Sequence, residues 1–272
     1  MGELYVVATP IGNLEDLTLR ALRVLEGVGL IAAEDTRVTR KLLGYFGIRV
    51  PLLSYNEHNA AQRLPRILEA LEAGDVALVS DAGAPAVSDP GSEMAHEVAE
   101  RGFRVVPVPG PSAVTAALSV AGMRADSFVF LGFPPRTRKQ RVALFESVGQ
   151  MPRTLVFFEA PHRLRVSLAD LLAALGDRRI AVCREMTKLY EEVFRGTVSE
   201  ALVHFTQPRG EFVVVMEGAK GAPGKPEVDE LAVRNEIALL KAQGLSRKDA
   251  VARLSPIHGV SRRQAYRLWL EG

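Results

Sequence analysis

The chain predicts an α/β protein made of two α/β domains followed by a small helical unit. Three observations predict it. Short β-branched runs alternate with amphipathic segments, the pattern of a sheet flanked by helices. The chain has 272 residues and 47% hydrophobic content, more than a single domain of roughly 100 to 200 residues needs. A stretch rich in Gly, Pro and Lys at residues 218–226 then separates this body from a basic tail.

In the first domain, residues 1–122, strands read at 4–8, 28–33, 76–80, 104–108 and 128–132, the last leading into the second domain. Helices read at 17–26, 60–73, 93–101 and 112–120, where Leu64, Ile67, Leu68 and Leu71 recur at helical spacing. Gly74 and Gly102 stand where C-terminal caps belong. The second domain, residues 123–220, reads as strands at 154–158, 179–184, 192–196 and 212–217 with a helix at 162–175. Its last two strands lack helical crossovers, so part of that sheet is expected to be antiparallel.

Residues 226–272 form the third unit. Ser246-x-x-Asp249 and Ser261-x-x-Gln264 have the spacing of two capping boxes, set apart by Pro256-Ile257-His258-Gly259-Val260. This is a helix-turn-helix outline, with Val251, Leu254, Tyr266, Leu268 and Trp269 as its core. Arg262, Arg263 and Arg267 on the second helix are left to meet phosphate. From residue 241 onward seven Lys and Arg face two acids, whereas residues 1–240 carry 27 bases and 30 acids. The tail is basic and the body is not, which suggests a polyanionic partner.

Several classes are excluded. No apolar run approaches the roughly 20 residues that span a bilayer, and the N-terminus lacks a secretion signal, so a soluble cytoplasmic protein is expected. Cys183 is the single cysteine and reads as a buried, inert thiol. The five histidines are scattered, so no metal is expected. Gly27-x-Gly29-x-x-Ala32 matches a dinucleotide fingerprint formally, but it ends a helix rather than opening one. No phosphate-cradling G-x-x-x-x-G-K-[ST] loop occurs.

Four loops rich in small residues and proline leave strand ends, where open α/β sheets bind ligands: Thr9-Pro10-Ile11-Gly12-Asn13, residues 80–91, residues 107–113, and Phe133-Pro134-Pro135. Together they indicate a small-molecule site. Pro111 and Ser112 at a helix start offer free backbone amides.

In this order the loops resemble the tetrapyrrole methylase superfamily, the class III methyltransferases that use S-adenosyl-L-methionine (AdoMet). The resemblance rests on Ala8-Thr9-Pro10-Ile11-Gly12-Asn13-Leu14, Ser88-Asp89-Pro90-Gly91, Pro109-Gly110-Pro111-Ser112-Ala113 and Gly210-Glu211-Phe212-Val213-Val214-Val215. Ala33-Glu34-Asp35-Thr36-Arg37, Phe158-Glu159-Ala160-Pro161-His162-Arg163-Leu164 and Arg184-Glu185-Met186-Thr187-Lys188 single out the branch acting on ribosomal RNA. Two departures stand out: Ala84 replaces the usual Thr, and Asn56 the usual His. The resemblance implies a cofactor cleft between the two α/β domains and methylation of the ribose 2'-hydroxyl of cytidine-1402 in 16S rRNA. It further implies a homodimer, and AdoMet held by Pro10, Asp81, Gly83, Ser112, Ala113, Leu131, Phe158, Glu211 and Phe212.

Methyl transfer from a sulfonium is a direct displacement, so alignment of the acceptor supplies much of the catalysis. A ribose hydroxyl is a weak acid, and a base or cation beside it would help. Lys188, Glu185, Arg184, Glu159 and the group Glu34, Asp35 and Arg37 are the candidates. Lys188 is favoured as a base, on condition that burial or Arg184 lowers its pKa. Arg37, with Arg40 and Lys41, and Arg136, Arg138 and Lys139, with Arg141, form two basic clusters for RNA phosphate. Two rival readings remain: a tetrapyrrole methyltransferase, and a non-catalytic RNA-binding assembly factor.

Overall fold

A computed structural model describes residues 2–86, 91–219, 230–258 and 262–271. The side chains of residues 230–232, 248, 252, 255–258, 262–264 and 271 are not described. Two compact units result, Met1–Gly218 and Ala219–Gly272.

The first unit begins with β1 (Glu3–Val7), a 3-10 turn (Leu14–Asp16), α1 (Leu19–Gly27), β2 (Leu30–Ala33), α2 (Thr36–Tyr45) and β3 (Leu52–Ser54). It continues with α3 (Ala60–Ala73), β4 (Val76–Val79), α4 (Ser92–Glu100), β5 (Arg104–Val108) and α5 (Ala113–Ala121). These strands form one parallel sheet in the order β3-β2-β4-β1-β5. Both faces are covered, which is why β2 (Leu-Ile-Ala-Ala) and β4 (Val-Ala-Leu-Val) are buried at every position. Ile31, Ala33, Ala77 and Val79 meet Ala21 and Leu25 of α1 and Leu42 and Leu43 of α2. Leu30, Ala32, Val76 and Leu78 meet Ile67 and Leu71 of α3 and Met94 and Val98 of α4.

The second sheet draws on β6 (Phe128–Phe130), α6 (Arg138–Val148), β7 (Thr154–Glu159), α7 (Pro161–Leu175), β8 (Arg179–Arg184), β9 (Glu192–Thr197), α8 (Val198–His204) and β10 (Phe212–Met216). Its order is β6-β7-β10-β8-β9. β6 and β7 are parallel, while β10 runs antiparallel to β7 and β8, and β9 to β8, as the missing crossovers predict. One face packs on Phe145 of α6, Leu164, Leu168 and Leu171 of α7, and Val198 of α8.

The other face holds a correction to the domain division at residue 122. Helix α5 follows β5 in the chain, but its Val114, Ala117, Leu118 and Ala121 pack against Val156, Ala181, Val213 and Val215 of the second sheet. The small apolar side of α5 fits the flat wall these strands present. The two sheets therefore belong to one unit, with α5 reaching across.

Among the described residues the second unit has three helices where two are predicted: α9 (Glu230–Ala242), α10 (Arg247–His258) and α11 (Arg262–Glu271). Val233, Ile237 and Leu240 of α9 pack with Ala250, Val251, Leu254, Ala265 and Leu268. Tyr266, expected in this core, is instead 42% exposed and lies under the Arg247 guanidinium, 4.5 Å from ring centroid to Cζ. The Lys241 ammonium sits 5.0 Å from the Trp269 ring. Ser246 caps α10, its hydroxyl accepting from the Asp249 amide at 3.3 Å. Helix α10 runs on through Pro256, expected to break it, to His258. Gly259, Val260 and Ser261 lie outside the described residues.

Candidate active site

Within the first unit, the carboxyl ends of β1, β2 and β4, the start of α5 and the facing edge of the second sheet enclose a cavity of about 430 Å³. The first sheet contributes Ile11, Glu34 and residues 81–84, and α5 contributes Ser112, Ala113 and Val114. The second sheet adds Phe133, residues 158–161, Cys183, Met186 and residues 211–213.

Backbone pairing fixes the floor. Thr9 and Gly83 exchange two hydrogen bonds, of 2.9 and 3.0 Å, and the Thr9 hydroxyl donates to the Ser80 carbonyl at 3.1 Å. The β1 and β4 loops are thus tied together ahead of any ligand. Of the residues expected to hold AdoMet, Asp81, Gly83, Ser112, Ala113, Phe158, Glu211 and Phe212 line the cavity. Pro10 and Leu131 do not. Pro10 is buried beneath the loop, with Ile11 facing the cavity in its place. Leu131 is tied by its amide to the Val156 carbonyl at 2.9 Å and packs in the core on the far side of the sheet. The Ser88-Asp89-Pro90 part of the 80–91 loop lies outside the described residues.

The walls are chemically unlike. Phe133 and Phe158, with ring centroids 5.4 Å apart, form an apolar side with Ile11, Met186 and Val213. Glu34, Asp81, Glu159 and Glu211 are carboxylates on the same cavity. The Asp81 amide donates to Glu34 Oε2 at 3.3 Å, and Asp81 Oδ1 accepts from the Asp35 amide at 3.1 Å. Burial pushes the Glu34 and Asp81 carboxyls above their ordinary values, and neighbouring carboxylates add to the shift. Cys183 is buried in the wall, and burial raises its thiol to about 11, so it stays protonated. Among the described residues no group of three His, Cys, Asp or Glu is arranged to hold a metal ion.

A turn at residues 185–188 closes one side. Glu185 and Thr187 hold positive φ values of 48° and 67°, a strained conformation for residues other than glycine. Lys188 Nζ donates to Glu185 Oε1 at 3.0 Å and to Glu211 Oε2 at 2.8 Å. Its side chain crosses Gly12, where an added Cβ would lie 2.5 Å from Lys188 Cγ. The condition set for a Lys188 base is not met. Burial pulls its pKa down, but Glu211 and Glu185 outweigh this and the net direction is upward. Lys188 is a cationic bridge between Glu185 and the rim residue Glu211, with its stem lying against Gly12.

The other catalytic candidates are also engaged. Arg184 points away from the cavity, donating to the Arg209 carbonyl at 2.8 Å and pairing with Glu192 at 3.3 Å. Glu159 lines the cavity, yet it accepts from the Ala160 amide and the Ser167 hydroxyl and pairs with Arg163. Asp35 caps α2 and chelates Arg37, which holds its carboxyl at about 2. It supports Asp81 through its amide rather than lining the cavity itself.

On the RNA side, Arg136 and Lys139 are exposed. Arg138 is 77% exposed but bonded to Asp170 at 3.0 Å. Arg141, grouped with them by sequence, is buried against Asp170 and donates to the Pro135 and Arg136 carbonyls. Together with Arg163, which donates to the Pro134 carbonyl, it shapes the Phe133 loop. Arg37 is exposed while paired with Asp35. Arg267 is exposed on α11, and the side chains of Arg262 and Arg263 lie outside the described residues.

The family model described as Tetrapyrrole (Corrin/Porphyrin) Methylases matches residues 3–202. A curated relative from Synechocystis, named Ribosomal RNA small subunit methyltransferase I, is 46% identical, with 100% of this chain and 98% of that one aligned. A relative of the same name from Thermotoga maritima is 50% identical over 221 residues, covering 80% of this chain and 99% of its own. Among solved structures, a uroporphyrin-III-C-methyltransferase from Thermus thermophilus superposes with a TM-score of 0.57 at 27% identity, covering 79% of this chain and 94% of that one.

Proposed function

This chain belongs to the tetrapyrrole (corrin/porphyrin) methylase family, and we propose that within it the chain methylates small-subunit ribosomal RNA with AdoMet as donor. The observation that carries this reading is where the branch-marking stretches lie. Glu34, residues 158–161 and Met186 come from three distant parts of the sequence and line one cavity.

The cavity suits the donor. Carboxylates Asp81 and Glu211 favour a cationic sulfonium and ammonium, while Phe133, Phe158, Met186 and Val213 can enclose an adenine. Ser112 and the amides that open α5 are left for a carboxylate. When bound, AdoMet supplies an electrophilic methyl group. The protein's own part is to orient the acceptor, exclude water and accept a proton. Phe133, 57% exposed on a loop pinned by Arg141 and Arg163, is placed to stack on an unpaired base. Arg136, Lys139 and Arg37 follow for phosphates, and the basic second unit adds a further grip.

The finer reading is that the acceptor is the 2'-hydroxyl of cytidine-1402 in 16S rRNA, that the enzyme works as a homodimer, and that it acts in the cytoplasm. The resemblance of the three branch stretches supports the first. Among the described residues no helix is long and apolar enough to cross a membrane, which is consistent with the last.

Incubation with labelled AdoMet and, in parallel, small subunits, naked rRNA and a porphyrin precursor tests the proposal. Transfer to an RNA form is expected. Transfer to the porphyrin alone would reverse the assignment, and no binding of AdoMet at all would remove both enzymatic readings.

A further inference from the structure

We propose that Glu34 is the general base that takes the proton from the acceptor hydroxyl; this rests on the methyltransferase reading above. Apart from Asp81, which the resemblance gives to AdoMet, and the protonated Cys183 thiol, the other ionisable groups in and around the cavity are already engaged. Lys188 is an ammonium bound to two carboxylates. Glu185 is spent on that ammonium and on the Glu211 amide, which donates to it at 2.9 Å. Glu211 takes the other side of Lys188. Glu159 is bonded to an amide, a hydroxyl and a guanidinium, and Asp35 to Arg37 through both oxygens.

Glu34 differs. It follows the last residue of β2, with its amide fixed by the Val79 carbonyl at 3.3 Å, so its position is set by the sheet. Its Oε2 accepts one long bond from the Asp81 amide, and no cation among the described residues is paired with it. Glu34 lines the cavity, and among the described residues its Oε1 has no hydrogen-bond donor. A base must be reachable by the acceptor and not held by a cation; Glu34 lines the cavity and has no cationic partner among the described residues.

The charged and titratable groups around it are Asp81 from the β4 loop, Asp35 at the cap of α2 and Glu57 before α3, with Arg37 acting on Asp35 and Asp81. Burial and this company raise the Glu34 carboxyl, moving its basicity toward neutrality. In the step, the acceptor oxygen forms its bond to the methyl carbon as the carbon–sulfur bond breaks. The bonding pair stays on sulfur, leaving a neutral thioether, and the hydroxyl proton passes to the Glu34 carboxylate and then to water.

The test compares Glu34→Gln and Glu34→Asp with the parent full-length protein. AdoMet binding is followed by calorimetry, binding to small subunits by sedimentation, and single-turnover methyl transfer across pH 5 to 9. Glu34→Gln should bind AdoMet and subunits within about threefold of the parent and lose roughly 100-fold or more in transfer rate near pH 7. The parent rate should rise with pH on the acid side and then level, because the base must be ionised, and that acid limb should be missing in Glu34→Gln. Glu34→Asp, a carboxylate set back by one methylene, should recover part of the rate and the limb. Near-parental transfer by Glu34→Gln, an unchanged acid limb, or loss of AdoMet binding would each overturn the proposal. A parent protein that transfers no methyl to any RNA would instead overturn the reading on which it rests.

Discussion

Replacing Gly210 with alanine should damage the site through two residues that it does not itself present to the cavity. Gly210 has φ +85°, and an added Cβ would lie 2.4, 2.5 and 2.7 Å from Cγ, Cδ and Oε1 of Glu185. The backbone conformation alone costs alanine about 1–2 kcal/mol. The contact forces the Glu185 side chain out, breaking its bonds to the Glu211 amide and to Lys188. Each charge-assisted bond is worth about 1.5–3 kcal/mol when buried, and the lower figure applies because Glu185 and Lys188 are 18% and 29% exposed. The expected loss is about 4 kcal/mol. For a body of this size that corresponds to a fall of about 8–16 °C in Tm by calorimetry, with weaker AdoMet binding because Glu211 lies on the cavity wall. The double-mutant cycle with Glu185→Ala isolates the cause. In that background Gly210→Ala should cost only the backbone term, about 1–2 kcal/mol. An equal cost in both backgrounds, or a Tm within 2 °C of the parent, would refute the reasoning.

Other consequences follow from the same structure. Removing residues 219–272 should weaken binding to small subunits about tenfold or more and leave AdoMet affinity largely unchanged by calorimetry, because every cavity residue lies in Met1–Gly218 and the Thermotoga relative matches over 99% of its length with only 80% of this chain. Lys188→Arg should keep methyl transfer within a few fold, with no shift on the alkaline side of the pH profile, whereas Lys188→Met should impair AdoMet binding; a base role would have Arg abolish transfer. Asp170→Ala leaves the buried Arg141 unpaired and should cost about 3–5 kcal/mol, read as a drop of about 10 °C in Tm. Burial raises the Asp170 carboxyl, but Arg141 and Arg138 outweigh it and hold it below 3.8. Its stabilisation is therefore complete above pH 3.8 and lost as pH falls through the lower folded value, so the difference in stability between parent and Asp170→Asn should shrink below pH 3.8.

The strands and their loops were legible because burial on both faces of a parallel sheet leaves continuous apolar runs, and because ligand loops leave the carboxyl ends of such strands. Asp81, Gly83, Ser112 and Phe158 followed from that placement together with the family resemblance. What was not legible depends on partners distant in sequence. Nothing local to Arg141 reports Asp170 waiting 29 residues away, so a structural arginine read as part of a basic surface. Lys188 looked like a base until Glu211, 23 residues on, proved to bind it. Helix α5 was assigned to its neighbour in sequence, since small apolar residues fit either sheet. Strand β3 has only three residues, too few for alternation to show, and α9 was lost beside the more conspicuous capping box at Ser246. Glu34 was visible as one acid in a charged group, but only the pairing of its neighbours separates it from them.

Delivery of a methyl group from AdoMet to a ribose of small-subunit ribosomal RNA is the proposed activity of this cavity. The direct measurement is to treat small subunits lacking the modification with the purified protein and AdoMet, digest the RNA, and locate the added methyl by mass spectrometry. One added methyl is expected on the ribose of cytidine-1402, absent when Asp81→Ala protein is used. A methyl on a base, on a different nucleotide, or on no RNA while a porphyrin precursor is modified would contradict it.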